Sequence, residues 1–311
     1  MQSGRYSPGP VVPATMADAA KQREKVLAAA HALERNARPG DEGGLRILVT
    51  GKGGVGKTTI TALLSHLFSR SGYTALAVDE DPQMNLPYAL GMPPDGSKEI
   101  LPLTKNLDYI EEKTGARPGA GWGLMLTLNP DVSDVVERFG VTGPGGVKIL
   151  VMGTVVQAAT GCLCPENTLL EAVIRYINLR KNEVILMDTQ AGVEHFGRSL
   201  AKGFGQALLV TDPSFNAVSV AKHAAALARG LGIPHIHLVV NRVRSGTDRE
   251  KVLKILGDDI SLFTTQFWLP YEEGMTECDP GVLPLLDRNP PPLILDELVR
   301  IRDTLEKYAT R

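Results

Sequence analysis

The chain is poor in the features that would place it in a membrane, on a secretory route or on a nucleic acid. No apolar run approaches the roughly 20 residues of a transmembrane helix. The N-terminus also lacks the apolar core and cleavage site of a secretory leader, so a cytoplasmic location is expected. A formal net charge of −2 over 311 residues leaves no broad basic footprint, which argues against nucleic acid as the principal partner. Three cysteines, Cys162, Cys164 and Cys278, are too few for a disulfide framework in a chain of this length, so any close pair among them raises metal or redox chemistry instead. No internal repeat is present. The hydrophobic content of 43% and charged content of 22% are those of an ordinary globular protein with a sizeable core.

The sequence divides into an N-terminal extension, residues 1–44, and one large domain, residues 45–311. Residues 1 to about 15, rich in Pro, Gly and Ser, are expected to be disordered. Met16 to about Ala37 has the composition of a helix, and a Pro-Gly stretch from Pro39 links it to the first strand. From Leu45 onward, short continuous apolar runs alternate with helical patterns. The predicted strands are Leu45–Thr50, Thr74–Val78, Val147–Met152, Val184–Met187, Ala207–Val210 and Ile236–Val240. Strands apolar on both faces predict an α/β fold, a mainly parallel sheet flanked by helices, with ligand groups at the strands' carboxyl ends. Leu293 to Tyr308 reads as a final amphipathic helix with Leu295, Leu298, Val299 and Leu305 on one side.

The most specific motif is Gly51-Lys52-Gly53-Gly54-Val55-Gly56-Lys57-Thr58-Thr59, set between a predicted strand and a predicted helix. Its glycines let the backbone fold so that successive N–H groups face phosphate oxygens at a helix N-terminus. Lys57 is placed to neutralise the β- and γ-phosphates, and the hydroxyl of Thr58 suits Mg²⁺. A nucleoside triphosphate site is the expectation. Asp188 closes an apolar strand and precedes Thr189-Gln190-Ala191-Gly192, where a second group for Mg²⁺ belongs and where Gly192 has an N–H to present to the γ-phosphate. A further acidic segment, Asp79-Glu80-Asp81-Pro82, ends another strand, and Asp79 is open to either an Mg²⁺ role or a role in the fold.

Lys52, early in the loop, resembles the signature lysine of the deviant Walker A ATPases, the class that holds nitrogenase iron protein and the septum-site and partitioning ATPases. The resemblance implies ATP as the nucleotide and a homodimer in which Lys52 reaches the partner's nucleotide. It maps Asp81 to the residue that polarises the attacking water and Asn85 to a companion near the γ-phosphate. Asn241 and Arg242 resemble the base-contacting positions of the class, with Pro270-Tyr271-Glu272 in a similar loop.

Gly161-Cys162-Leu163-Cys164-Pro165-Glu166-Asn167 sets the chain apart from generic members of that class. Residues two apart in an extended segment face one side, so both sulfurs can converge. Pro165 suits the first position of a helix, which makes Cys164 its N-cap, where the dipole favours a thiolate. Two thiolates are half a tetrahedral site; a two-fold axis supplies the rest, giving a four-sulfur site for Zn²⁺, Ni²⁺ or an iron–sulfur cluster. The plain alternative is two buried small residues at a helix start. With Gly153-Thr154 and the run from Asp188 through Gly192 to Arg198, the segment is similar to the CooC family, nickel-insertion accessory ATPases of carbon monoxide dehydrogenase. That resemblance implies a nucleotide-controlled dimer whose Cys162 and Cys164 carry Ni²⁺ or Zn²⁺, with the dehydrogenase apo-enzyme as target. Gln190 departs from it by standing where an acidic residue is expected. The competing classes are an iron–sulfur electron donor of the nitrogenase type and a partitioning or membrane-positioning ATPase. Glu194 and His195 read as a hydrogen-bonded pair near the nucleotide before they read as a metal element.

Overall fold

A computed structural model describes residues 44–118, 127, 130–153, 165–176, 182–192 and 203–309. Residues 1–43 of the extension, Cys162, Cys164, Glu194 and His195 lie outside the described residues.

Eight strands form one sheet: β1 (Leu45–Gly51), β2 (Thr74–Asp79), β3 (Val141–Thr142), β4 (Lys148–Val151), β5 (Glu183–Asp188), β6 (Gln206–Thr211), β7 (His235–Val243) and β8 (Thr265–Pro270). Their order is β3-β4-β2-β5-β1-β6-β7-β8, and every pairing is parallel except β3 with β4. The mainly parallel α/β fold expected from the apolar runs is therefore present. The chain places β5 on one side of β1 and β6 on the other, which opens the crevice at the carboxyl end of β1 where ligands bind in sheets of this kind.

Period-two alternation sorts the strand side chains into two cores. Leu48, Val78, Leu150 and Met187 face one layer, packed by α2 (Leu107–Thr114), α3 (Pro165–Tyr176), α4 (Phe215–Gly230) and α5 (Gly246–Leu256). Ile47, Val49, Ala77, Ile149 and Leu186 face the other, covered by α1 (Lys57–Arg70) and α6 (Leu295–Lys307). Both faces of β1 are thus buried, and all seven of its residues with them. Arg46 is tolerated there because its Nη1 donates to the Ile174 carbonyl near the end of α3, 2.9 Å away.

The sheet carries two strands beyond the predicted series. β8 is an edge strand whose Thr265, Gln266 and Trp268 remain half-buried, so it lacks the continuous apolar run of a central strand. β3 has two residues and pairs antiparallel, too short for any periodicity. On α6 the buried residues are Leu298, Ile301 and Leu305; Val299 is only partly covered, because the stripe follows steps of three and four. Helix α3 does begin at Pro165. Among the described residues, no helix is long and apolar enough to cross a membrane.

Candidate nucleotide site

The glycine-rich segment leaves β1 at Gly51, whose φ is +149°; a Cβ here would lie 2.0 Å from the carbonyl oxygen of Val210 on neighbouring β6. Only glycine lets the two strands approach. Gly56, at φ +100°, caps α1 with no side-chain hydrogen bond to the first turn, so those N–H groups remain available to an anion. Lys57 is 7% exposed and its Nζ lies 3.4 Å from the carbonyl of Lys52. Burial pulls its pKa below the usual lysine range, while Asp188 and Asp81 push it back up. Lys52 itself stands exposed on the loop.

Asp188 ends β5 beside β1, and its Oδ2 accepts the Thr58 hydroxyl proton across 2.6 Å. Its Oδ1 is buried with no hydrogen-bond partner among the described residues. Burial pushes this carboxyl up to about 7, against the pull of Thr58 and Lys57. An orphaned carboxylate oxygen beside a threonine hydroxyl, at the mouth of an anion-binding loop, is a donor set that fits Mg²⁺ and its water shell.

The three consecutive carboxylates at the end of β2 diverge. Asp79 is fully buried; its Oδ1 accepts the N–H of Asp81 at 2.9 Å and its Oδ2 that of Leu86 at 3.0 Å. Burial and the nearby Asp188 hold its pKa well above the carboxylate range. Both oxygens serve the backbone of the loop, which is the fold role of the two open to it. Asp81 lines the cleft and accepts the Gln83 N–H at 2.9 Å. Asn85 lines it too, exposed, its Nδ2 donating to Gln83 Oε1 at 3.3 Å. Glu80 is 2% exposed, and its Oε2 accepts the backbone N–H of Gln190 at 3.1 Å. The sequence offered one signal for Glu80, its place between two aspartates at a strand end.

Gly192, at φ +108°, donates its N–H to the Gly51 carbonyl at 3.2 Å, and its own carbonyl accepts from Thr50 Oγ1 at 3.3 Å. The glycine expected at the γ-phosphate is here hydrogen-bonded to the strand that carries the phosphate loop. The cleft beside the phosphate loop measures 690 Å³, with Gly53, Gly54, Lys57, Thr58, Asp81 and Gln190 among its walls. A second cavity of 280 Å³ shares Gly56, Thr59 and Arg242 with it and adds Asn241, Tyr271 and Glu272. Asn241 is 2% exposed; its Nδ2 donates to the Val55 carbonyl at 2.8 Å, so the residue supports the phosphate loop from beneath. Arg242 follows in the left-handed region at φ 60°, and Pro270 ends β8 opposite Val243. Glu272, on the wall of the smaller cavity, accepts from the N–H groups of Gly274 and Leu293, at 3.1 and 2.8 Å.

Cys278 is half-buried, with Arg288 Nη2 at 3.5 Å from its sulfur. Among the described residues, no group of three or more His, Cys, Asp or Glu side chains is arranged to hold a metal ion.

Residues 47–260 match the CobQ/CobB/MinD/ParA nucleotide binding domain family. The chain is 38% identical over 235 residues to an uncharacterised ATP-binding protein of Methanocaldococcus jannaschii, covering 76% of this chain and 88% of that one. It is 35% identical over 246 residues to the carbon monoxide dehydrogenase accessory protein CooC of Rhodospirillum rubrum, covering 79% and 91% respectively. The cell division ATPase MinD of Pyrococcus furiosus shares the fold, with a TM-score of 0.59 at 24% identity over 86% of this chain and all of that one. The chain therefore belongs to the CobQ/CobB/MinD/ParA family, as an ATPase of the MinD/ParA class and, within it, of the CooC type.

Proposed function

We propose that this ATPase is a metallochaperone that delivers nickel during maturation of carbon monoxide dehydrogenase, working as a homodimer whose closure is governed by ATP. The observation that supports the ATPase chemistry is that Lys57, Thr58 and Asp81 line one cleft, with the carboxylate of Asp188 buried behind it and 2.6 Å from the Thr58 hydroxyl. The metal half of the reading draws support from the 35% identity to CooC and from Cys162-Leu163-Cys164 directly preceding a helix that starts at Pro165.

In this reading the N–H groups of Gly53, Gly54, Val55 and Gly56, with Thr59, cradle the phosphates, and Lys57 neutralises the charge that builds on the γ-phosphoryl oxygens. Thr58 and Asp188 would hold Mg²⁺, which would offset the charge of the phosphates. Asp81 orients and polarises the attacking water, with Asn85 beside it. Lys52 reaches the nucleotide of the second copy. Asn241, Arg242 and Pro270 border the base, and Gly192 trades its bond to Gly51 for the γ-phosphate. Cys162 and Cys164 from each copy hold the Ni²⁺ cargo, or Zn²⁺ in its place, between the two chains. Phosphoryl transfer relies on positioning and electrostatics, so these groups suffice without a covalent step. Closure transmits to the cargo only if the open and closed dimers differ in metal affinity.

Ni²⁺ bound per chain, measured by equilibrium dialysis with ADP and with a non-hydrolysable ATP analogue, tests the reading. One ion per dimer, lost in Cys162→Ala and in Cys164→Ala, is expected. Unchanged binding in both variants would remove the cysteine site. A brown chromophore in anaerobically purified protein would point to electron donation instead, and ATP-dependent sedimentation with liposomes to a positioning role.

A further inference from the structure

We infer that Glu80 is a positioning residue for ATP hydrolysis: its buried carboxylate fixes the strand end that carries Asp81 to the strand end that carries Asp188. The inference rests on the nucleotide site described above and is independent of the metal cargo.

The geometry begins with β2 and β5, adjacent parallel strands whose last residues, Asp79 and Asp188, are in register. One residue beyond that register the backbones stay joined, because the Glu80 N–H donates to the Asp188 carbonyl at 3.0 Å. The Glu80 side chain then passes Thr189 and accepts the N–H of Gln190 at 3.1 Å. One residue thus grips the 188–190 segment at two points. On its far side the same segment is tied to β1, where the N–H and Oγ1 of Thr189 donate to the Val49 carbonyl at 3.2 and 3.0 Å.

Asp81 is the covalent neighbour of Glu80, and Gln190 and Ala191, next along from Asp188, line the cleft with it. The Glu80 side chain therefore adds a second tie, beside the backbone bond to Asp188, between the segment carrying the water-side carboxylate and the one carrying the Mg²⁺-side carboxylate. A carboxyl group at 2% exposure is expensive to bury unless its oxygens are hydrogen-bonded, and the bond from the Gln190 N–H is such a use. Its neighbours do other work: Asp79 shapes the loop beneath, and Asp81 faces the cleft. Because catalysis of this kind depends on placement, with misplacement by about 1 Å able to cost about 100-fold, loosening the tie should act on turnover before it acts on binding.

Glu80→Ala and Glu80→Gln, compared with wild type and with Asp188→Asn, test this. Mg²⁺-dependent hydrolysis in wild type that is lost in Asp188→Asn establishes the site itself; its absence would sink the site reading and this inference together. With the site established, Glu80→Ala is expected to lower kcat by about 10- to 100-fold while KM and the affinity for a fluorescent ATP analogue stay within about twofold. Glu80→Gln should recover most of the lost turnover, since its amide oxygen still accepts from Gln190. Hydrogen exchange at the Gln190 amide should quicken in the alanine variant and not in the glutamine one. Wild-type turnover in Glu80→Ala, or parallel losses of turnover, affinity and melting temperature in both variants, would overturn the assignment.

Discussion

The hydroxyl of Thr58 donates to Oδ2 of Asp188 across 2.6 Å, although 130 residues separate them in the chain. The other oxygen of that carboxylate is buried and has no hydrogen-bond partner among the described residues. Asp188→Asn keeps the shape and removes the charge, so it is expected to cut Mg²⁺-dependent turnover by about 100-fold or more. It should also abolish the extra thermal stabilisation that ATP gives with Mg²⁺ over ATP with EDTA. Phosphate release and melting curves under those two conditions measure both effects.

The two loop lysines are predicted to fail in different ways. Lys57 is nearly buried beside Asp188 and Asp81, so Lys57→Ala should lose nucleotide affinity. Lys52 is exposed and its side chain faces solvent, so Lys52→Ala should leave the melting temperature and ATP affinity of the isolated chain intact. If Lys52 acts on a second copy, its variant loses turnover by about tenfold or more, and wild-type specific activity rises with protein concentration. Full activity in Lys52→Ala would remove the trans role.

Gly51 and Gly54 separate packing from conformation. At Gly51 a Cβ meets the Val210 carbonyl at 2.0 Å, and Gly51→Ala is expected to cost about 3 kcal/mol or more, because two strands of the core would have to part. At Gly54 nothing lies within 4 Å and only the φ of +79° opposes a side chain, so Gly54→Ala should cost about 1 to 2 kcal/mol. Urea unfolding of the two variants gives the comparison.

Two buried histidines predict acid sensitivity. Burial pushes His66 and His237 down from the usual 6.5 to about 4; Arg70 adds to the effect at His66, against Leu90 and Asp287, and His235 adds at His237. The unfolded chain takes up protons at 6.5 while the folded chain resists until about 4, so each histidine lowers stability as the pH falls through that window and has no effect above it. The ceiling is about 3 kcal/mol for each. Asp79 and Asp188, raised by burial, act with the opposite sign, so the total curve mixes both. Subtracting the His66→Leu profile from wild type between pH 7 and pH 4 isolates the histidine, since the packing change does not titrate. A flat difference would refute the assignment.

The sequence alone determined the parallel sheet, the phosphate loop and the strand-end aspartates, because each is written in a contiguous run. The nine residues from Gly51 to Thr59 form one contiguous motif, and β1, β2 and β5 announce themselves by apolar runs ending in Gly51, Asp79 and Asp188. The edge strand β8 was not legible, since exposure on one side removes the run that marks a buried strand. What only the tertiary structure decided is how those pieces use one another. Asn241 supports Val55 from a distance of 186 residues, Gly192 bonds to Gly51, and Glu80 grips Gln190 across 110 residues. A carboxylate or amide in a sequence declares its chemistry but not its partner. Partners are chosen when strand order brings distant ends together, and here the order β2-β5-β1-β6-β7 made that choice.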